Sequence, residues 1–485
     1  MWHRSNLTSS PSGGFVLCAG RARGCSATRF RRKPAFGSLL GLLSCLVLVG
    51  ALGCEPQPTT KWTSEVIILI SIDTLRADYL GAYGYTDYPS SPFLDEFASE
   101  NILFENSIVV EPRTLTSHMS LMTGLYPHHH QVQEKTVLPD GIPTLASLLQ
   151  EHGYLTQAYT DGGYMNKRWG IDRGFSGFAV REHGGFQKTL PEAMKWIAEH
   201  DTEKLFLFLH TYDVHNAGFQ PRYDSSPRYA GLFSKGIASS LNTTDDREFF
   251  DRFTAKQGAL TDVDRRYIRA TYAEGVRLVD DALRRFFAFL KRKGLYDRSI
   301  IIVWSDHGEG LYDHENWSHG EVFEHTIRVP LLVKIPGFER EGVRIRSVVS
   351  GIDLAPTILE LANVPIPSTM DGDSLLPLLE NDTQAGEAFS VRAKHGTRLF
   401  SIRTERYHYI RNEETDEIFF FDIKTDPKEL KNLSPSGTPE ERDLAERITR
   451  RIREHDDAWS RVRPIDERPH DSDLEEKLKA LGYVN

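Results

Sequence analysis

The segment that most constrains this chain is Val66-Ile-Ile-Leu-Ile-Ser-Ile72, because it leaves no polar face. A strand with one wet face alternates apolar and polar residues. An unbroken β-branched run instead fits a strand covered on both faces, as in a parallel sheet between helical layers. The run delivers Asp73 at its carboxyl end. Leu155–Thr160 is a further predicted strand, and Lys204–Leu209 and Ser299–Trp304 are two more apolar ones. Pro143–His152 has helical periodicity and stops at Gly153, and Arg265–Lys293 places Leu278, Val279, Leu283, Phe286, Phe287 and Leu290 on one helical face. Alternating strands and helices predict an α/β fold with a mostly parallel sheet flanked by helices. Residues 220–262 are polar and irregular and are predicted as an insertion. Beyond Asn363 the pattern changes: Leu399–Arg403, Tyr407–Arg411 and Ile418–Asp422 predict a smaller antiparallel sheet, followed by a charged helix over Pro439–Trp459. The expected layout is a main domain over 65–363 and a C-terminal subdomain over 364–485.

Residues 1–54 are a different kind of sequence. A basic cluster at Arg29–Lys33 precedes an apolar run from Leu39 to Leu52 and then Gly53-Cys54, the pattern of a secretory signal peptide. The run is shorter than the ~20 residues a spanning helix needs. Ala51-Leu52-Gly53-Cys54 resembles a bacterial lipobox, which implies a lipidated Cys54, a membrane anchor, and a protein facing the periplasm or the exterior of the cell envelope. Residues 55–64, with Pro56 and Pro58, are the expected tether. All four cysteines lie in the first 54 residues, so no disulfide, thiol nucleophile or thiolate ligand is available to the body. Those residues also hold seven Lys and Arg and no acid. From residue 55 onward 51 basic groups therefore stand against 68 acidic ones, a formal charge of −17. Such a body repels nucleic acid, and an anionic substrate needs a local positive site.

In open α/β sheets, ligands bind beyond the carboxyl ends of the strands. Three polar groups stand at such ends: Asp73, the pair Asp213/His215, and Asp306/His307. A carboxylate beside an imidazole suits a divalent cation with mixed oxygen and nitrogen ligands.

Read together, these blocks resemble the sulfatase family of the alkaline phosphatase superfamily. Ile70-Ser-Ile-Asp73-Thr-Leu-Arg-Ala-Asp78-Tyr-Leu-Gly81 is similar to its opening, and Thr114-Leu-Thr-Ser-His-Met-Ser-Leu-Met-Thr-Gly124 stands in its nucleophile segment. His210-Thr-Tyr-Asp-Val-His215 resembles its central block, and Ser305-Asp-His-Gly-Glu309 with Asp313-His314 and His319-Gly320 its second metal block. The resemblance implies an alkaline phosphatase-like fold and one divalent ion (Ca, Mg, Mn or Zn) held by Asp73, Asp306 and His307, with Thr114 also in contact. It implies Thr114 as nucleophile, and His215 and His319 as catalytic groups that touch the ester's oxygens or protonate the leaving group. His118 and, from the run His128-His129-His130, His130 are the candidate substrate-binding residues.

The chain also departs from the family. Formylglycine sulfatases oxidise the Cys or Ser of a C/S-x-P-x-R motif, where this chain has Thr114, Thr116 and His118. Threonine cannot give that aldehyde, so release of sulfate from a gem-diol is closed, which tilts the chemistry toward phosphate esters. Thr74 replaces a second Asp, His319 a Lys, and Thr160-Asp-Gly-Gly163 a Gly-Lys-Trp-His block. The Asp213–His215 spacing is short for a two-metal site. The expected activity is hydrolysis of an anionic sulfate or phosphate ester of a glycan, lipid head group or small molecule. The alternatives are a phosphoryl head-group transferase and a non-catalytic glycan-binding lipoprotein.

Overall fold

In the computed structural model Val66–Ile72 forms strand β1, and all seven residues are buried. The structure describes residues 61–461 except 134–135, 182–183, 217–222, 224–225, 244, 257–259, 382–385 and 395–396. The signal peptide, Cys54 and most of the tether lie outside the described residues. After β1 come β2 (Ile102–Ile108), β3 (Leu155–Thr160), β4 (Gly177–Val180), β5 (Leu205–Thr211) and β6 (Ser299–Trp304). A two-residue ladder, β7 (Gly310–Leu311) with β8 (Trp317–Ser318), precedes β9 (Arg328–Lys334) and β10 (Val343–Ser350).

Eight of these strands form one sheet in the order β10-β2-β9-β6-β1-β5-β3-β4. β1 pairs in parallel with both β5 and β6, while β9 runs antiparallel to β2 and β6. The run in β1 is continuous because alternate side chains feed two cores. Ile67 and Leu69 pack with Met119, Leu145 and Ile358; Val66, Ile68, Ile70 and Ile72 pack with Leu283 and Phe286.

The long helix spans Asp262–Arg292 and buries the apolar face read from the sequence. Its start is set by a capping box in which the Thr261 hydroxyl and the Asp264 carboxylate each accept the other residue's N–H. Its Asp280 carboxylate accepts the N–H groups of Phe93 at 3.0 Å and Leu94 at 2.8 Å, capping the helix Pro92–Glu100. Burial pushes the Asp280 carboxyl up to about 7 despite these two donors. Because its folded pKa lies above its unfolded one, its contribution is complete below the unfolded pKa and is lost as pH rises through about 7. Asp280→Asn is therefore expected to flatten the fall in melting temperature between pH 5 and pH 8, by roughly 2 °C or more. Thermal scans at the two pH values check this.

Residues 220–262 are not all irregular, since Asp246–Lys256 is a helix. Phe249 and Phe253, four residues apart, supply its buried side, and Phe253 meets Trp317 edge-on at 5.2 Å. A short polar helix of this kind owes its stability to a distant partner that local periodicity does not reveal.

The C-terminal sheet is antiparallel throughout: β11 (Glu387–Lys394), β12 (Thr397–Thr404), β13 (Tyr407–Asn412) and β14 (Ile418–Asp422). The helix Pro439–Ser460 covers it with Leu444, Ile448 and Ile452 against Phe389, Phe400 and Phe420. β11 is tied to the segment before Thr114: the Val391 N–H donates to the Val110 carbonyl at 2.8 Å and the Ser390 hydroxyl to the Val109 carbonyl at 2.6 Å.

Candidate active site and metal centre

Parallel pairing brings the polar strand ends together. Ser71 of β1 stands opposite His210 of β5 and Trp304 of β6, so Asp73, His210, Asp306 and His307 emerge at one place. Thr74 then takes a left-handed backbone (φ 57), uncommon for a β-branched residue and costing about 1–3 kcal/mol. It is held by its own hydroxyl, which donates to the Asp73 carbonyl at 2.8 Å, and by the Tyr272 hydroxyl, which donates to its carbonyl at 2.7 Å. Gly308 is required in the Asp306-His307-Gly308 turn, because a Cβ there would lie 2.0 Å from the His325 carbonyl oxygen. Arg76 locks the two turns together. Its guanidinium pairs with both oxygens of Asp78 at 2.8 and 2.7 Å and donates to the Glu309 carbonyl at 2.9 Å.

Thr114 opens the wholly buried helix Thr114–Thr123, with Arg113 as its extended N-cap residue. Its hydroxyl donates to Asp73 Oδ2 at 3.1 Å and lies 3.4 Å from His307 Nε2. The positive end of the helix dipole therefore faces the hydroxyl and favours negative charge there. Asp306 Oδ2 is 3.4 Å from His307 Nε2, and Asp73 Oδ1 is 3.9 Å from the same nitrogen. Asp73, Asp306 and His307 each turn an atom toward a common point, with those atoms within 4.8 Å of one another.

Asp73 Oδ1 and Asp306 Oδ2 are buried and accept no hydrogen bond. Burial raises both carboxyls far above the ordinary range, and for Asp306 the neighbouring Asp73 adds to the shift. Two facing, desolvated carboxylates are unfavourable without a cation. The orphaned oxygens and the O/N donor set fit a divalent ion.

The other expected residues separate into two groups. His215 Nε2 lies 3.9 Å from Asp73 Oδ1, and the His319 ring meets His307 at a tilt with centroids 4.3 Å apart. Both are held neutral: His215 is pushed down to about 4 by burial and by His319, and His319 to about 3 by burial, then by Arg113 and Arg392. Glu309 Oε1 lies 3.6 Å from His319 Nδ1. His118 sits beneath the site. Its Nδ1 bonds the Thr114 carbonyl at 2.7 Å, so its Nε2 must accept from the Ser71 hydroxyl at 2.8 Å, leaving no donor for a substrate anion. His130 points elsewhere, with Nε2 at the Ser120 hydroxyl (3.1 Å) and Nδ1 accepting the Val132 N–H (3.0 Å). The helix geometry uses both histidines as internal hydrogen-bond partners. Asp213 is also occupied, since its carboxylate accepts the Phe186 N–H at 2.8 Å at the start of Gly185–Glu199.

One contributor was not singled out from the sequence. His210 Nε2 lies 3.4 Å from Asp73 Oδ2, and burial pushes this histidine down to about 3. The available signal was a polar residue in the last turn of an otherwise apolar strand, beside a motif already marked at its other end.

A second buried cluster, Glu324, His408 and Glu429, is also tight enough to share an ion. Here a protein cation already serves. Arg403 donates to the Glu324 carboxylate, His408 meets Glu429, and Glu429 accepts the Glu324 N–H at 2.8 Å. The cluster fastens the C-terminal sheet to the helix Glu324–Ile327. Arg403→Met, which strands the Glu324 charge, is expected to destabilise the protein by about 3 kcal/mol in denaturant unfolding, and Glu324→Met in the same chain to restore most of the loss.

A family model described as Sulfatase matches residues 65–364, and one described as N-sulphoglucosamine sulphohydrolase, C-terminal, matches residues 310–458. Arylsulfatase K of Gallus gallus is 25% identical over 455 residues, covering 82% of this chain and 84% of the relative. Among solved structures, one in complex with its substrate D-glucosamine-2-N,6-O-disulfate superposes with a TM-score of 0.66 at 19% identity, covering 82% of this chain and 99% of the other. The phosphonate monoester hydrolase of Agrobacterium radiobacter gives a TM-score of 0.66 at 20% identity, with coverages of 80% and 96%.

Proposed function

This chain belongs to the sulfatase family, and from that premise we propose that it hydrolyses sulfate or phosphate esters with Thr114 as nucleophile. The observation that carries this reading is the Thr114 hydroxyl at a helix N-terminus, 3.1 Å from Asp73 Oδ2 and 3.4 Å from His307 Nε2. A divalent cation (Ca, Mg, Mn or Zn) held by Asp73, Asp306 and His307 would lower the pKa of that hydroxyl and neutralise the non-bridging oxygens of the ester.

Thr114 Oγ attacks the sulfur or phosphorus while the bond to the leaving oxygen breaks. Asp73 Oδ2 already accepts the Thr114 hydroxyl hydrogen bond, so the proton has a receiver at that carboxylate. His319, kept neutral, would hydrogen-bond the leaving oxygen through its one N–H, and that oxygen takes its proton from solvent water. His215 lies beside His319 and lines the same side. Water then attacks the sulfur or phosphorus, the bond to Thr114 Oγ breaks, and the hydroxyl is restored. A phosphate ester of threonine yields to water more readily than a sulfate ester, and the absence of an aldehyde favours that substrate class.

The lipobox residues Ala51–Cys54 support a lipoprotein on the outer side of a membrane, acting on glycans, lipid head groups or small esters there. No helix among the described residues is long and apolar enough to cross a membrane. The test is a panel of aryl sulfates, phosphate monoesters, diesters and phosphonate monoesters, each with the four cations. Metal-dependent release of free anion and a covalent adduct on the Thr114 peptide are expected. No turnover of any ester with any cation refutes the reading, and a modified acceptor in place of free anion makes the protein a transferase.

A further inference from the structure

We propose that Arg392, together with Arg113, binds a second anionic group on the leaving-group side of the substrate. This rests on the hydrolase reading, because it takes the reacting ester to sit at Thr114. The site is layered. Thr114 lies against His307, the His319 ring meets His307 at a tilt with centroids 4.3 Å apart, and Gly320 follows. Beyond Gly320 is the guanidinium of Arg392: a Cβ on Gly320 would sit 3.3 Å from its Nε and 3.5 Å from one terminal nitrogen. Gly320 has a positive φ of 122°, so a larger residue there would be strained as well as crowded.

Arg113 directly precedes Thr114 as the N-cap residue, and its N–H donates to the Glu111 carbonyl at 2.8 Å. The Glu111 carboxylate in turn lies 3.9 Å from Arg392. Arg392 keeps 19% of its side chain exposed and Arg113 is half-buried, whereas Thr114, Asp73 and Asp306 are fully buried. Arg392 thus keeps part of its side chain in solvent and stands against Gly320, the residue after His319. A guanidinium fork binds carboxylate, sulfate or phosphate in a bidentate manner that ammonium does not reproduce. The substrate class that fits is an ester whose alcohol portion carries its own oxyanion. β11 belongs to the C-terminal sheet, which thereby contributes to choosing the leaving group.

Non-hydrolysable sulfonates test this by calorimetric titration of the full chain, with calcium, magnesium, manganese and zinc in turn. meta-Benzenedisulfonate and meta-sulfobenzoate are each compared with benzenesulfonate, which lacks the second anion. The wild type is expected to prefer the two-anion probes about tenfold, Arg392→Gln to lose that preference, and Arg392→Lys to keep part of it. Wild-type melting of both variants excludes misfolding as the cause. Equal weakening of all three probes by Arg392→Gln, or no preference in the wild type, overturns the proposal. A retained preference in a protein that turns over no ester removes the hydrolase reading and leaves the second anion site standing.

Discussion

Thr114→Ala is expected to lower kcat on every accepted ester by at least roughly 10³-fold, with metal content unchanged. The substitution deletes the one hydroxyl that lies against both Asp73 and His307 and shares the helix N-terminus. It leaves the two orphaned carboxylate oxygens and the imidazole in place, so metal affinity falls little. Thr114→Ser keeps the oxygen and retains activity within about tenfold, which separates loss of the nucleophile from loss of packing around the threonine methyl. Single-turnover kinetics with metal analysis on the same samples give the answer. A Thr114→Ala enzyme with wild-type kcat would mean that water attacks directly and the covalent step does not exist.

Asp306→Asn has the second-largest expected effect: metal affinity drops by about 10²-fold or more, and turnover falls with it. It also carries a stability signature of opposite sign. In the metal-free protein Asp73 and Asp306 are both pushed upward by burial, and Asp306 further by its neighbour. Their folded pKa values exceed the unfolded ones, so their stability is complete below the unfolded pKa and is lost as pH rises through the folded values. Asparagine removes one of the two charges. Above neutral pH the metal-free variant is therefore expected to melt higher than the metal-free wild type, yet to gain little when cation is added. The wild type gains in proportion to ligand excess. Melting scans with chelator and with each cation check both halves; a variant that still rises in melting temperature with added cation would remove Asp306 from the ligand set.

The strands most legible in the sequence are those whose surroundings are simplest. β6, β1 and β5 are adjacent in the middle of the sheet, covered on both faces, and their apolar runs announce them. β2 has a polar middle, Glu105-Asn-Ser107, and β10 alternates Arg344 and Arg346 with buried Ile345, so neither shows a continuous run. The expected triad of Asp73, Asp306 and His307 meets at one point, because they stand just beyond the carboxyl ends of β1 and β6, which pair in parallel. The histidines were harder. His118 and His130 look as available in the sequence as His215 and His319, but helix geometry aims both into internal hydrogen bonds. Arg113 and Arg392 lie far apart in the chain and carry no shared pattern.

What the sequence determines by itself is therefore the kind of sheet, the polar residues at the ends of its strands, and a body without a cysteine. Apolar periodicity and residue chemistry are local properties and need no partner to be visible. The tertiary structure alone decides which polar groups face one another: strand register sets His210 against Asp73, a left-handed Thr74 adjoins the pair, and β11 brings Arg392 beside Gly320. Those distances depend on packing between segments hundreds of residues apart, where a shift of one residue in a strand turns every side chain to the opposite face.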